Sequence, residues 1–377
     1  MTNQELRLML VTDAVGGVWT YSIELARALR EWNVETLLAV IGPSPSTEQM
    51  REVAGLETID TGLALDWTAE RPDVIRRTGC ALADIAARED VGIVQLNSAS
   101  LLADCEFEQP IVVVQHSCVA TWWDAVRDGP LPKDFAWRRD LVECGLHAAN
   151  AAVAPSAAFA AQLSRVYRLS RAVRCVHNGR RALPMKRRAQ EDLVFTVGRL
   201  WDDGKNVRVL DEAAARLEVP FEAIGPLCGP NGTAVSFDHL RTAGELRLDA
   251  IAERLAARPI YATSALYEPF GLSVLEAAQA GCALVLSDIP TLRELWGGSA
   301  IFVDACDPQA YATAIEGVIG DPQRRAELGH SARVRALRYS PEAMASRIRQ
   351  IYADIAPHAE VQPAQPESAF QQLAAAQ

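Results

Sequence analysis

The sequence predicts an α/β protein built from two successive doubly wound domains, on three observations. Near the start an apolar strand, Leu6–Asp13, breaks at the turn Ala14-Val15-Gly16-Gly17, and a helical pattern follows. After residue 191 the same order restarts as strand Leu193–Val197, loop Gly198–Lys205 and helix Val207–Leu217. The length, 377 residues, also exceeds what one hydrophobic core usually organises.

The elements follow in order. Ile23, Leu25, Ala26 and Leu29 place the first helix over residues 20–31, with Thr20 as its N-cap. A second strand, Leu37–Ile41, closes at Gly42-Pro43. A helix over 72–88 precedes strands at Val91–Leu96 and Ile111–Val114, and helices over 134–149 and 156–167 flank a short strand at Ala151–Ala154. Val173–Val176 is the last strand before the turn His177-Asn178-Gly179, which gives a first domain of residues 1–180. Residues 181–191, basic and carrying Pro184, form a linker. The second domain, 192–338, holds further strands near Phe221–Ile224, Pro259–Ala262, Ala283–Leu286 and Ile301–Val303, with helices between them, Ala310–Ile319 and Pro322–Leu337 included. A final helix in 339–356 is amphipathic through Met344, Ile348, Ile351 and Ile355, and is expected to return to the first domain. Residues 357–377, with three prolines and many Gln and Ala, present no packable face and are expected to be disordered.

Composition narrows the function classes. Hydrophobic content of 49% with 23% charged residues is that of a soluble globular chain. The net charge of −11 argues against nucleic acid as the main partner. Eight scattered cysteines with no C-x-x-C pair fit a reducing compartment and disfavour both a disulfide scaffold and a zinc site. The start is not a signal peptide, and no apolar run approaches the roughly 18 residues of a membrane span. A cytoplasmic location, with contact at the inner membrane face as an option, is the expectation.

The chemistry concentrates in Tyr267–Gly281. The chain turns at Pro269 and Gly271 and enters a helix whose first free N–H groups favour an anion. Glu276 lies one turn beyond Leu272, and helical side chains lean toward the N-terminus, so its carboxylate aims back at the helix mouth, where Glu268 also stands. Two carboxylates beside an anion site suit a ligand with hydroxyls and phosphates. A solvated amphipathic helix is the plain alternative.

At Glu268-Pro-Phe-Gly-Leu…Glu276 the chain resembles the family 4 retaining glycosyltransferases (group 1) of the two-Rossmann GT-B fold, over nearly all of residues 6–355. Gly16-Gly17, Val114-Gln-His-Ser117, Val153-Ala-Pro-Ser156, His177-Asn-Gly179, Val197-Gly-Arg-Leu200, Lys205 and Gly281-Cys-Ala-Leu-Val285 extend the likeness. The resemblance implies a nucleotide-sugar donor held mostly by the second domain. It implies that Glu276 holds the ribose hydroxyls, that Glu268 contacts the transferred sugar, and that Phe270, Gly271, Leu272 and Ser273 touch sugar and phosphate. Arg199 and Lys205 would grip the diphosphate, and His116 would contact the donor sugar. Gly16, Gly17 and Val18 would meet the phosphates from the first domain. Trp19, Trp122 and Trp123 are acceptor-side candidates, since indole faces stack on sugar rings, although tryptophan is also a common core residue.

The sequence departs from the family pattern in places. Gly204 precedes Lys205 instead of following it, and Asp202 and Asp203 bring negative charge beside the phosphate loop. The usual Ser three residues before the first Glu is Ala265. A frequent Gly-Gly turn is replaced by Asp288-Ile-Pro-Thr-Leu292, where Thr291 and the Leu292 amide could contact phosphate.

The implied reaction moves a hexosyl group from a nucleotide-diphosphate sugar, UDP-sugar first and GDP-sugar second, to a hydroxyl acceptor on a glycan, a lipid-linked glycan or a small molecule. Configuration would be retained by front-face attack. No cofactor or metal is expected, because no D-x-D-like motif ends a strand and the Arg/Lys pair can carry the charge. Another enzyme of the same fold (an epimerase or phosphorylase), a glycosidase, and a non-catalytic nucleotide-sugar-binding protein are the alternatives. The spacing after Asp13 lacks the G-x-G-x-x-G of dinucleotide dehydrogenases. Between Cys144 and Gln190 no acid occurs, yet nine Arg or Lys lie from Arg165 to Arg188, a candidate patch for anionic lipid head groups or a solvated face balancing acidic neighbours.

Overall fold

A computed structural model of the chain describes residues 6–186, 188–229 and 232–357. In chain order the first half forms β1 Leu6–Asp13, α1 Gly17–Leu29, β2 Val34–Ile41, α2 Thr47–Glu52, β3 Glu57–Asp60, α3 Pro72–Arg88, β4 Ile93–Leu96, β5 Ile111–Val114, α4 Val119–Val126, α5 Lys133–Ala148, β6 Ala151–Ala154, α6 Ala157–Val166 and β7 Arg174–Cys175. The second half forms β8 Val194–Val197, α7 Val207–Ala214, β9 Phe221–Ile224, β10 Arg241–Thr242, α8 Leu248–Ala256, β11 Ile260–Thr263, α9 Leu272–Ala280, β12 Leu284–Ser287, α10 Pro290–Trp296, β13 Ile301–Val303, α11 Pro308–Ile319, α12 Pro322–Ala336 and α13 Pro341–Ile355.

Packing divides the chain into two compact units. Among the described residues, one comprises 6–116, Asp140–Val153 and 341–357; the other comprises Ser117–Arg139 and Ala154–Ser340. In the first, parallel strands run in the order β3-β2-β1-β4-β5-β6, so the sheet reverses its winding between β1 and β4. Leu8, Met9 and Leu10 are fully buried, as strands covered on both faces require. The returning helix α13 belongs to this unit. Its Tyr352 hydroxyl donates to Gln95 Oε1 at 2.6 Å, and Gln95 Nε2 donates to Tyr21 Oη at 3.1 Å, so α13, β4 and α1 share one buried polar network.

The second unit has a parallel sheet in the order β10-β9-β8-β11-β12-β13, which reverses between β8 and β11. Phe195, Tyr261, Leu284 and Trp296 fill its core. Ligands of doubly wound sheets sit beyond the carboxyl ends of the strands at such a reversal. Here those ends deliver the loops Gly198–Asn206 and Ser264–Gly271, which carry most of the predicted site.

Several elements differ from expectation. Helix α1 begins at Gly17, with Gly16 as N-cap, so Thr20 lies inside the helix and is no cap. Helices α2 and α4 and strands β3 and β10 were not anticipated: each is short, and α2 and β3 are largely polar. From residue 358 onward the expected disordered tail lies outside the described residues. Among the described residues no helix is long and apolar enough to cross a membrane.

Candidate active site

In the second unit the loops after β8 and β11 border a small recess, lined in part by Thr196, Gly198, Lys205, Thr263, Glu268 and Ser273. Lys205 and Glu268 approach it from the two loops and pair directly, Nζ to Oε2 at 2.5 Å. Arg199 lies at the start of the first loop and pairs with Asp202 at 2.9 Å. Helix α9 opens the far side. Gly271 is its N-cap at φ 86°, in the left-handed region where a Cβ is strained, and a side chain there would also come within 3.3 Å of Glu268 Cγ. No side chain caps this helix end, so the N–H groups of its first turn, Leu272 and Ser273 among them, have no intrahelical acceptor. Ser273 Oγ is fixed by the Tyr261 hydroxyl, which donates to it at 2.8 Å. Phe270 is buried and packs edge-on against Tyr339 with centroids 5.6 Å apart.

Glu276 sits one turn into α9 and is only 8% exposed. Burial pushes its carboxyl up, and the nearby Arg180 opposes that shift. Arg180 is itself buried, with Nε 2.8 Å from Glu276 Oε1. The contact is an ion pair: Arg180 Nε makes no aligned hydrogen bond. Thr291 and Leu292 lie in the first turn of α10, after β12; Leu292 is fully buried.

The predicted first-unit residues gather at the sheet reversal. Gly17 and Val18 open α1 behind the N-cap Gly16, and Asp13 Oδ1 accepts from Val15 N at 2.7 Å to shape the turn. His116 follows β5. Its Nε2 lies 3.3 Å from Asn97 Oδ1, and its ring meets Tyr21 edge-on at 4.4 Å. Asn97 Nδ2 donates to Ser22 Oγ, which fixes Oδ1 as an acceptor and places the imidazole proton on Nε2. Desolvation lowers the His116 pKa to about 3, so the ring is neutral at ordinary pH.

The three tryptophans separate. Trp19 is buried and gives its Nε1–H to Glu52, so its ring belongs to the first unit's core rather than to an open stacking surface. Trp122 and Trp123 lie on α4. Trp123 donates to Gly129 O, whereas Trp122 donates to Asp202 Oδ1 at 2.9 Å and so joins the loop that carries Arg199 and Lys205. Within the basic run, Arg165 pairs with Asp124, Arg180 with Glu276, and Arg188 with Glu191 and Glu253.

Four contributors escaped the sequence reading. Asp202 stood there as negative charge beside the phosphate loop, Arg180 as one cation of the basic run, Tyr261 as one position of a strand and Tyr267 as the first residue of the Glu268 loop, with no role of its own. Only their distant partners distinguish them. Among the described residues one group could present metal ligands: Cys175, His177 and Glu294, with donor atoms within 4.8 Å of one another. The Glu294 oxygens already accept from Ala157 N at 2.8 Å, Ala158 N at 2.7 Å and His177 Nε2 at 3.0 Å, which is the arrangement of a cap on α6.

Comparison with known proteins agrees with this architecture. Residues 15–181 match the model of Glycosyltransferase Family 4, and residues 237–335 match that of Glycosyl transferases group 1. A D-inositol 3-phosphate glycosyltransferase from Corynebacterium urealyticum is 30% identical over 214 residues, which are 51% of this chain and 49% of that protein. The match thus spans about half the length of that relative. Sucrose-phosphate synthase from Thermosynechococcus elongatus superposes with TM-score 0.74 at 18% identity, over 93% of this chain and 98% of that one. HepE of Anabaena, solved in complex with UDP-glucose, gives TM-score 0.72 at 16% identity, over 93% and 100%. Two parallel-sheet α/β domains with these neighbours make the fold GT-B. The chain belongs to the group 1, family 4 glycosyltransferases.

Proposed function

We propose that the protein transfers a hexosyl group, with retention, from a nucleotide-diphosphate sugar to a hydroxyl acceptor. The observation that carries this reading is the convergence of Lys205, Glu268 and the uncapped end of α9 around one recess at the sheet reversal, with Arg199 on the loop that carries Lys205. The cations and the helix end suit the diphosphate, and charge-assisted hydrogen bonds strengthen as the leaving group gains charge. Glu268 accepts from a sugar hydroxyl, and Glu276 from the ribose. The bond from the anomeric carbon to the phosphate oxygen breaks as the bond to the acceptor oxygen forms on the same face. The departing phosphate takes the acceptor's proton. His116 is neutral and gives its Nε2–H to Asn97, which leaves Nδ1 as the acceptor for a sugar hydroxyl.

A UDP-sugar is the favoured donor, supported by the UDP-glucose complex of a structural neighbour. Phosphorylated polyols enter the acceptor screen because of the inositol phosphate relative. Arg199 and Lys205 carry the phosphate charge, so activity persists in EDTA. Contact of the Arg165–Arg188 run with anionic lipid is a further part of the reading, and unchanged liposome binding by Arg168→Glu would remove it.

The main test measures the melting temperature with UDP-, GDP- and ADP-sugars, followed by acceptor-dependent release of the nucleoside diphosphate. One sugar nucleotide is expected to raise the melting temperature, and Arg199→Ala with Lys205→Ala to abolish that rise. No response to any donor, or diphosphate release that ignores the acceptor, would overturn the proposal.

A further inference from the structure

Asp202 sits between the two cations assigned to the diphosphate, where a carboxylate should repel the ligand. Its side chain is 8% exposed, and both oxygens are fully engaged. Oδ1 accepts from Gly204 N at 2.9 Å and from Trp122 Nε1 at 2.9 Å. Oδ2 accepts from Arg199 Nη2 at 2.9 Å and Nε at 3.3 Å. Burial alone would raise this carboxyl's pKa, but Arg199, its hydrogen bonds, Lys205 and the Gly204 amide outweigh burial and hold it below the usual range. It is therefore a firmly ionised, saturated carboxylate with no lone pair turned against an incoming anion.

The geometry at Arg199 decides its use. A guanidinium has two forks, a side fork of Nε and Nη2 and an end fork of Nη1 and Nη2. Asp202 occupies the side fork and leaves the end fork open, on a side chain that is 54% exposed. An arginine held this way is pre-aimed and keeps a bidentate face for phosphate.

The other oxygen reaches a different element. Trp122 comes from α4, and its indole lies against Gly204, where a Cβ would stand 2.7 Å from Nε1. Arg127 covers the same ring at 5.0 Å and pairs with Asp203. One residue before Trp122, Thr121 Oγ1 meets the Tyr267 hydroxyl at 2.8 Å, beside Glu268. Helix α4 is thus fastened to both loops of the recess. A simple turn cap explains the bond to Gly204 N, but neither the fork taken on Arg199 nor the link to Trp122.

We propose that Asp202 is a positioning residue for donor binding, which aims Arg199 at the diphosphate through Oδ2 and clasps the Trp122 indole of α4 through Oδ1. Trp122 accordingly serves as the clasp rather than as a ring for the acceptor. This rests on the donor reading of the recess.

The test titrates the full chain with UDP and with GDP, using Asp202→Asn, Trp122→Phe, Arg199→Ala and the double variant Asp202→Asn/Arg199→Ala. Asn keeps the shape and an acceptor for Trp122 but loses the charge on Arg199. Asp202→Asn is expected to weaken nucleotide binding and raise the donor KM by about tenfold, with kcat changed far less and the melting temperature nearly unchanged. In the double variant Asp202→Asn should add nothing to Arg199→Ala, because its effect runs through that side chain. Trp122→Phe, which removes only the N–H, should give a smaller loss in the same direction. Wild-type affinity in Asp202→Asn, additive losses in the double variant, or a fall in melting temperature alone would each overturn the inference. If Arg199→Ala itself leaves binding of both nucleotides unchanged, the donor reading fails instead.

Discussion

The Arg180–Glu276 pair gives the sharpest prediction about what holds the site together. Arg180→Met keeps most of the side chain's apolar length and removes its charge, leaving a carboxylate that is 8% exposed with no cation beside it. Removing one partner of a buried pair typically costs about 3–5 kcal/mol. At roughly 2–4 °C per kcal/mol for a unit of this size, the melting temperature should fall on the order of 10 °C at pH 8. The pH dependence has a definite sign. Burial already raises the Glu276 carboxyl above its unfolded value, so the folded state binds the proton more tightly. The associated stability is fully present below the unfolded pKa and is lost as pH rises through the folded one. Without Arg180 the folded pKa climbs further, so the deficit of Arg180→Met relative to wild type should shrink steadily as pH is lowered and the carboxyl takes up its proton. Thermal melts of both proteins from pH 5 to 9 measure this, and Arg180→Met/Glu276→Gln should recover much of the loss at pH 8. A deficit under about 1 kcal/mol at pH 8, or one that does not vary with pH, would refute the reasoning.

Two further outcomes are expected. Glu294→Ala removes the acceptor for Ala157 N, Ala158 N and His177 and should cost about 1–2 kcal/mol in a chemical melt. Burial opposes ionisation of Glu294, but His177 and the two amides outweigh it and lower its pKa. That contribution is therefore present above the unfolded pKa and lost as pH falls through the folded one; a variant whose deficit grows in acid would contradict it. Tyr352→Phe leaves Gln95 Oε1 without its buried donor and should cost about 1–3 kcal/mol, whereas a neutral effect would mean that α13 is held by apolar contacts alone.

Legibility in the sequence followed the range of the interaction. Strands β1 and β5 and helices α3 and α13 begin and end where the periodicity places them, because a buried strand or an amphipathic stripe is written in consecutive residues. The start of α1 was misplaced because Thr20 looks like a cap while Gly16, which lacks a side chain to bond with, takes that position. Helix α2 carried a readable signal, Ser46 and Gln49 at capping-box spacing, although only six residues long. The Glu268–Glu276 segment was readable because loop, helix mouth and both acids are local. Asp202 was not: the bond that explains it comes from Trp122, eighty positions away, and its charge alone points to the wrong conclusion.

The candidate site contains a balance that no single motif expresses. Arg199 pairs with Asp202, Lys205 with Glu268 and Arg180 with Glu276, so each of three cations has its own carboxylate. On the proposed donor reading, a diphosphate entering this site must exchange partners instead of filling unpaired positive charge. The three pairs are not equally exchangeable. Arg180 and Glu276 are both buried, and parting them would strand a charge. Arg199 can accept phosphate on its end fork without releasing Asp202. Lys205 has three N–H donors and spends one on Glu268, at the surface of the recess. It is the pair best able to loosen. A phosphate that draws Lys205 toward itself frees an oxygen of Glu268 at the moment a sugar hydroxyl needs an acceptor. Donor binding and sugar recognition are then coupled through one ion pair, and Glu268 would contact the sugar well only when the diphosphate is also in place.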